Sequence, residues 1–393
     1  MKHVKKSAQR DAMRARPSTP APARALARAR TASQRARARS RTALGRRRSF
    51  YEQDGADFTS GTSAVPELTL AKLRIDERAV VGRGAFSECF RGTYEDSANV
   101  VAKRYRVDVR GRDVESFYAD ELESARALRD CDGVAPFMGA AGVGQWLVWE
   151  DVGRVTLEDV LARGDGLALA RETFGDLSDD AAAFRFLAST LARAVASVHA
   201  FDMIHRDVKP ANVILSDARK RTLLCDVGAC ADVQTGRNMD GAEAIFDPTY
   251  GAPEQFRKVA SSPPLGGFPS IGGLFGGKKN AEASSANGFT LEPSGEPPTV
   301  LLDAYSLGVT LLRCGVPSLR GESAIVRARK DIDACGGDLD LWRREVCVPG
   351  VNDFTLLDEL GAWATITRLA AVDPNERFSV RRALDADEFL SSA

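Results

Sequence analysis

No run of apolar residues in this sequence is long enough to cross a lipid bilayer. The longest apolar stretch, residues 299–316, is interrupted by Asp303 and Arg313, and it falls short of the roughly 20 apolar residues that a spanning helix requires. We therefore predict no transmembrane span. The seven cysteines never form a Cys-x-x-Cys pair, which predicts reduced thiols rather than a disulfide framework or a zinc site.

Acidic residues are almost absent from residues 1–48, which contain 16 Lys and Arg but a single acid, Asp11. The rest of the chain is correspondingly acidic, because the formal net charge of the whole is zero. A leader rich in Arg, Ala and Ser with so few acids is typical of an organelle transit peptide, which we place at residues 1–50. Two alternatives stay open: an arm that binds nucleic acid, provided that it survives in the mature chain, and a basic nuclear signal.

The β-rich part of the chain follows a polar stretch at residues 51–72, which is predicted to be a linker. Within residues 73–105, short β-branched and aromatic runs are separated by Gly, Asp and Asn, a pattern that predicts an antiparallel meander. Next along the chain, Leu122, Ala125 and Leu128 recur at helical spacing. This spacing predicts one helix beside the strands.

From Thr156 onward the pattern is mainly helical. It is interrupted at about residues 257–299 by a stretch rich in Gly, Ser and Pro, which we interpret as a disordered insertion because it cannot bury enough apolar surface. The sequence therefore predicts a small β-rich lobe with a hinge, residues 73–153, followed by a larger helical lobe, residues 154–393.

The strongest motif is HRDVKPAN, which is predicted to form a loop between a long amphipathic helix and a short strand. Phosphoryl transfer requires an oriented hydroxyl, a stabilised phosphoryl group and bound metal ions. Asp207 is expected to accept or orient the substrate proton, Lys209 to neutralise the migrating group, and Asn212 to bind a metal ion. Fourteen residues after Asn212, Asp226 supplies a carboxylate of the kind that Mg²⁺ prefers.

The segment VGRGAFS is predicted to approach nucleotide phosphates, since Gly82 and Gly84 permit a tight turn without a Cβ clash. On the next strand, Lys103 is expected to bridge the α- and β-phosphates. Its expected ion-pair partner is Glu121 on the predicted helix, with Glu115 and Glu123 as alternatives. The residues predicted to contact ATP are Val81, Gly82, Arg83, Gly84, Ala85, Phe86, Ser87, Lys103, Glu150, Val152, Asn212 and Asp226.

In this order the motifs resemble those of the eukaryotic protein kinase family, over about residues 73–390. The resemblance implies an α+β, bilobal protein kinase fold that uses ATP and Mg²⁺. The catalytic residues that it implies are Asp207, Lys209, Lys103 and Glu121, and the metal-binding residues are Asn212 and Asp226.

Three further motifs agree with this resemblance: GAPE with Glu254, DAYSLGV with Asp303, and DPNERFS with Arg377. By resemblance, Glu254 and Arg377 form a buried ion pair that fixes the substrate-binding segment. Asp303 is expected to accept hydrogen bonds from the backbone near His205 and Arg206.

A few positions bear on which hydroxyl the enzyme phosphorylates and on whether it is active. Lys209, two residues after Asp207, implies a serine/threonine kinase by resemblance, although Asp247 stands where that branch usually has Thr. Ser87 replaces the third glycine of the usual Gly-x-Gly-x-x-Gly, and Val227 replaces the Phe of Asp-Phe-Gly. The alternative function is therefore a pseudokinase scaffold that binds nucleotide without efficient turnover.

The segment after the metal-binding carboxylate is rich in acids and poor in hydroxyls. We hypothesise that one of Asp240, Glu243 and Asp247 pairs with Arg206 in place of a phosphate group. A solvated acidic loop is the alternative.

The segments FDPTYGAPEQF, GVPSLRGES and DLDLWRREV look like those of the thylakoid kinases of plants and algae that act in state transitions. Together with the leader, this resemblance implies a chloroplast kinase whose partners are light-harvesting or photosystem proteins, and which binds no nucleic acid in its mature form. We expect it in the stroma or attached peripherally to the thylakoid, with the mitochondrion or the nucleus and cytoplasm as alternatives.

Overall fold

The computed structural model describes residues 67–84, 87–106, 114–142, 145–241, 247–260 and 289–391. The predicted leader, most of the predicted linker, and Ala85 and Phe86 of the glycine loop lie outside the described residues. The described part of the chain forms a β-rich lobe followed by a helical lobe, in the order that the sequence predicts.

The first lobe is built on a six-stranded sheet in the order β1-β5-β6-β4-β3-β2. The pairs are antiparallel except for β1, which runs parallel to β5. The last part of the predicted linker therefore contains the strand β1, which gains its partner from a strand about 70 residues away in the chain. The strands are β1 Glu67–Leu68, β2 Leu73–Arg83, β3 Ser87–Tyr94, β4 Ala98–Tyr105, β5 Phe137–Ala141 and β6 Trp146–Glu150.

The predicted helix is α1, Val114–Ala127. Ala125 and Leu128 are buried with Phe137 of β5 and Leu147 of β6, and Leu122 packs against the same group. The strands alternate their side chains between the two faces of the sheet, so a second cluster, which includes Phe90, forms apart from this one. These contacts place α1 beside the strand that carries Lys103.

The second lobe is mainly helical, with short strands that form its upper edge. β9 pairs with both β7 and β10, and β11 pairs with β8. Its strands are β7 Val155–Thr156, β8 Met203–Ile204, β9 Val213–Ser216, β10 Arg221–Leu224 and β11 Ala231–Asp232. Its helices are α2 Leu157–Arg163, α3 Ala168–Phe174, α4 Asp180–Ala200, α5 Val300–Gly315, α6 Glu322–Ala334, α7 Leu339–Glu345, α8 Thr355–Glu359, α9 Ala362–Leu369, α10 Val380–Ala386 and α11 Glu388–Ser391.

The long helix α4 organises the core of this lobe. It begins at the N-cap Asp179, whose side chain accepts a hydrogen bond from the backbone N–H of Ala182. Within the described residues, it is one helix whose length and apolar composition would suit a membrane span. Of the apolar 18-residue stretch of this helix, 56% is buried inside the protein. Phe184 and Leu191 of the helix belong to the main core. Such burial is typical of the core helix of a globular protein.

Two strands occupy the ends of the predicted insertion. β12, Phe256–Ala260, pairs antiparallel with β13, Phe289–Pro293. The prediction of an insertion without regular structure therefore does not hold for these residues, because pairing satisfies backbone groups in a way that composition does not reveal. Residues 261–288 lie outside the described residues.

Candidate active site

A cavity of about 490 Å³ lies between the two lobes. Its walls come from the glycine loop, the strand β4, the hinge after β6 and the loops that precede and follow β9 and β10. Most of the predicted site residues line this single cavity: Val81, Gly82, Arg83, Gly84, Ser87, Lys103, Glu121, Glu150, Val152, Asp207, Lys209, Asn212 and Asp226. The geometry thus brings together residues that are up to 145 positions apart in the chain.

Lys103 on β4 is the cation at the back of the cavity. It is only 7% exposed, and its Nζ lies 2.8 Å from the carboxylate of Glu121 on α1 and 2.8 Å from Oδ1 of Asp226. Burial alone would lower the pKa of Lys103, but the two carboxylates outweigh it and hold this pKa well above its usual range. The ammonium is therefore charged and fixed from two sides.

Glu121 is the partner of Lys103 among the three glutamates that the sequence offered. It is fully buried, whereas Glu123 pairs with Arg126 on the surface of α1. Burial raises the pKa of Glu121, and Lys103 opposes that rise. A second contact comes from Tyr105, whose hydroxyl donates to Glu121. The carboxylate is thus held by two residues of the same strand.

The loop that contains HRDVKPAN, residues 205–212, is called the catalytic loop below. Asp303, near the start of α5, holds its backbone. This buried carboxylate accepts hydrogen bonds from the backbone N–H groups of His205 and Arg206, both at 2.7 Å, and contacts the ring of His199 at 2.9 Å. Arg206 has a φ of +68°, a strained conformation for a residue with a side chain. Asp303 therefore stabilises the turn that leads into Asp207, as the resemblance implies.

Asp207, Lys209 and Asn212 contact one another within this loop. The Nζ of Lys209 lies 2.9 Å from Oδ2 of Asp207. The side-chain Nδ2 of Asn212 donates to the same carboxylate at 2.8 Å and to the Asp207 carbonyl oxygen at 2.9 Å. Because the amide nitrogen of Asn212 faces Asp207, its oxygen is on the opposite branch of the side chain and is available to a cation.

Asp226 lies opposite this loop, in a left-handed conformation with a φ of +61°. Lys103 lowers the pKa of Asp226 to about 2, so the carboxylate is ionised. The side chain is 51% exposed, and it lines the cavity together with Asn212. A carboxylate and an amide oxygen are hard oxygen donors that suit Mg²⁺.

The residues that the structure describes contain no cluster of three or more His, Cys, Asp or Glu side chains arranged around a metal ion. Mg²⁺ typically takes one or two protein oxygens and completes its shell with water and substrate phosphates.

Comparison with known proteins identifies this arrangement, since residues 75–266 match the family model described as protein kinase domain. The chain contains a protein kinase domain. Two curated relatives are chloroplastic serine/threonine-protein kinases of Arabidopsis thaliana. STN7 is 28% identical over 253 residues, covering 61% of this chain and 42% of that protein. STN8 is 25% identical over 311 residues, covering 74% of this chain and 58% of that protein. The chain therefore spans about half the length of these relatives.

A solved structure also resembles the kinase. It is a crystal structure of a Stt7 homolog from Micromonas algae soaked with ATP, with a TM-score of 0.64 and 23% identity. The match covers 86% of this chain and 98% of that one. The likeness establishes that the predicted two-lobed kinase fold is correct.

The kinase domain contains the predicted ion pair between Glu254 and Arg377. The guanidinium of Arg377 is buried and binds both carboxylate oxygens of Glu254, at 2.6 and 3.0 Å. It also donates to the backbone carbonyl oxygens of Leu301, Ala371 and Val372. This network attaches the segment after β11 to the helical lobe.

Asp247 lies near Lys209 rather than Arg206. Its Oδ1 accepts from the backbone N–H of Thr249 at 2.9 Å, and its Oδ2 lies 3.8 Å from Nζ of Lys209. Arg206 instead donates to the carbonyl oxygen of Asn238 at 2.7 Å. The hypothesis that an acid replaces a phosphate at Arg206 is therefore wrong for Asp247, and Glu243 lies outside the described residues.

Several cavity residues were missed by the sequence analysis. Cys89 is paired in register with Lys103 on the neighbouring strand, and Val101 precedes Lys103 by two residues on β4. Both line the cavity. Strand periodicity could have found them, because residues i and i+2 of a strand share one face. The contact of Tyr105 with Glu121 could have been inferred from the same rule.

Proposed function

We propose that the chain transfers the γ-phosphoryl group of Mg·ATP to a serine or threonine hydroxyl of a protein. The observation that carries this proposal is the convergence of Lys103, Asp207, Lys209, Asn212 and Asp226 on one cavity. A fixed ammonium, a carboxylate next to a second ammonium and two oxygen donors are the parts that phosphoryl transfer requires.

The nucleotide would be bound mainly by residues of the β-rich lobe. Lys103 would bind the α- and β-phosphates, and the backbone around Gly82 and Gly84 would cover the phosphate chain. Asn212 and Asp226 would hold Mg²⁺, which when bound neutralises charge on the phosphate oxygens. On nucleotide binding, Lys103 would bind phosphate oxygens in place of Asp226, and the Asp226 carboxylate would then be available to the metal ion.

The acceptor hydroxyl is oriented by the catalytic loop. Asp207 would accept its proton or fix its direction, and the hydrogen bond from Asn212 holds the Asp207 carboxylate in place. Burial would lower the pKa of Lys209, but Asp207 and Asp247 raise it further, so the lysine stays charged. Its charge can stabilise the phosphoryl group during transfer.

The location and the substrates are inferred from similarity. The chloroplastic relatives and the composition of residues 1–50 support a chloroplast kinase, in the stroma or attached to the thylakoid surface. We propose light-harvesting or photosystem proteins as its substrates. Phosphoproteomics after loss of the protein would identify them, and a fluorescent fusion to the leader would test the location.

The activity is tested with purified protein, Mg²⁺, labelled ATP and a mixture of protein acceptors. The wild type should phosphorylate serine or threonine, and Asp207→Asn should lower the rate about 10²- to 10⁴-fold while leaving ATP binding intact. Asp217→Asn is a matched control, because the Asp217 side chain is exposed and pairs with Lys220 on the surface. Wild-type protein that binds Mg·ATP without turnover would instead establish the pseudokinase scaffold.

A further inference from the structure

The segment after Asp226 contacts α1 through Arg237. The Nη1 atom of Arg237 donates to the carbonyl oxygen of Asp120 at 2.7 Å and to the hydroxyl oxygen of Ser124 at 2.7 Å. Ser124 is fully buried, and its hydroxyl donates to the same Asp120 carbonyl at 2.9 Å. The guanidinium therefore closes a small network on the helical turn that carries Glu121.

Arg237 is itself held in place by its surroundings. Its carbonyl oxygen accepts from the backbone N–H of Asp232 at 2.9 Å, and Asp232 belongs to β11, which pairs with β8. The neighbouring Asn238 donates to the carbonyl of Cys230 at 2.9 Å and accepts from Arg206 at 2.7 Å. A continuous set of contacts thus joins the catalytic loop to α1.

The other end of this set of contacts is the ion pair at the back of the cavity. Asp120, whose carbonyl binds Arg237, immediately precedes Glu121, and Glu121 binds Lys103. The turn after Asp226 is also close, since a Cβ on Gly228 would lie 3.5 Å from the Glu121 carboxylate. A rotation or outward shift of α1 would therefore break the contacts of Arg237 and the ion pair together.

We propose that Arg237 is a positioning residue that holds α1, and with it Glu121 and Lys103, in the ATP-binding arrangement without a phosphate group. The inference rests on the proposed kinase function. The contacts of Arg237 are to a carbonyl and a hydroxyl of α1, so none of them needs a phosphorylated residue. Between Asp226 and Glu254 the only hydroxyl-bearing residues are Thr235, Thr249 and Tyr250, and the latter two are buried.

Arg237→Ala removes two hydrogen bonds from a charged donor, and we expect it to weaken ATP binding about 10- to 100-fold. Arg237→Lys keeps a cation of similar reach and should restore most of the affinity. Arg381→Ala is the matched control, because Arg381 is exposed and pairs with Asp385 on α10, far along the chain from this network. Its ATP affinity should equal that of the wild type.

A double-variant cycle separates positioning from a merely structural role. ATP affinity is measured by calorimetry for the wild type, Arg237→Ala, Glu121→Gln and the double variant, and melting temperatures are recorded in parallel. If Arg237 acts through Glu121, the effect of Arg237→Ala should largely disappear in the Glu121→Gln background. Additive losses, or a lower melting temperature with unchanged ATP affinity, would overturn the proposal.

Calorimetry measures ATP affinity and not phosphoryl transfer, so it tests the role of Arg237 separately from the proposed function. A wild type that binds ATP but transfers no phosphate would refute the function, while the cycle would still report on Arg237. Phosphatase treatment of the wild type should leave its ATP affinity unchanged. A tenfold loss after that treatment would show that a phosphate group does the holding and would contradict the inference.

Discussion

The Nζ of Lys103 lies 2.8 Å from Oδ1 of Asp226, so one ammonium joins the two lobes while it also binds Glu121. The two carboxylates differ in their surroundings, because Glu121 is fully buried whereas the Asp226 side chain is half exposed to the cavity. A buried carboxylate that loses its cation suffers a larger desolvation cost than a half-exposed one. Glu121 therefore depends on Lys103 more strongly than Asp226 does.

This difference predicts the stability of Lys103 variants. Lys103→Met leaves Glu121 as a buried charge without its cation, which should lower the free energy of unfolding by about 3–5 kcal/mol. Adding Glu121→Gln removes that charge and should recover much of the loss, although ATP binding stays weak in both variants. Urea denaturation measures the stabilities. A double variant that is less stable than Lys103→Met would contradict this account.

Tyr105→Phe tests the second contact of Glu121. The variant keeps the ring but removes the hydroxyl that donates to the buried carboxylate. Leaving that oxygen unsatisfied should cost about 1–3 kcal/mol of stability and should raise the KM for ATP more than the KM for the protein acceptor. Tyr118→Phe is the control, since Tyr118 packs edge-to-face on Tyr105 without a hydroxyl contact to Glu121 in the described structure. Equal effects of the two variants would count against the role of the hydroxyl.

The sequence reveals the parts of this site whose spacing is local. Asp207, Lys209 and Asn212 lie within six consecutive residues, and the helical period that places Leu122 and Ala125 toward the core also places Glu121 at the edge of α1. The contacts of Arg237 with Asp120 join residues 117 positions apart, and no period or motif encodes such a pairing. The strands β1, β12 and β13 were missed for the same reason, because each depends on a partner distant in the chain.

Asp247→Thr tests how the carboxylate beside Lys209 influences acceptor choice. Asp247 adds a negative charge at the mouth of the cavity, 3.8 Å from Lys209, so it should favour acceptors with a basic residue near the hydroxyl. We expect the ratio of kcat/KM for a Lys-flanked over a Glu-flanked peptide to fall roughly fivefold in Asp247→Thr. Asp217→Thr, at an exposed site, should leave the ratio unchanged. An unchanged ratio in Asp247→Thr would remove Asp247 from substrate selection.

The cavity cysteines should react slowly at neutral pH. Burial raises the pKa of Cys89 to about 12 and raises the pKa of Cys225 as well. Because the thiolate is the reactive form, alkylation of Cys89 should accelerate with pH up to about 12. In the unfolded chain the thiol ionises at its ordinary pKa of about 8.5. The free energy of unfolding should therefore fall as the pH rises above this value, because only the unfolded chain then gains the thiolate. Peptide mapping after iodoacetamide treatment gives the rates, and fast labelling of Cys89 at pH 7 would contradict the prediction.

The ion pair of Arg377 with Glu254 should respond unequally to loss of its two partners. Arg377→Met leaves three backbone carbonyls and a carboxylate without their donor, and we expect a loss of more than about 4 kcal/mol of stability. In Glu254→Gln, the amide oxygen still accepts a hydrogen bond and the carbonyls keep Arg377, so the loss should be about 1–2 kcal/mol. Its KM for the protein acceptor should rise while the KM for ATP stays constant, because Glu254 anchors the segment that follows Asp247 and is not among the residues that line the cavity. Equal destabilisation by the two variants would mean that the ion pair alone, and not the carbonyl network around Arg377, stabilises this segment.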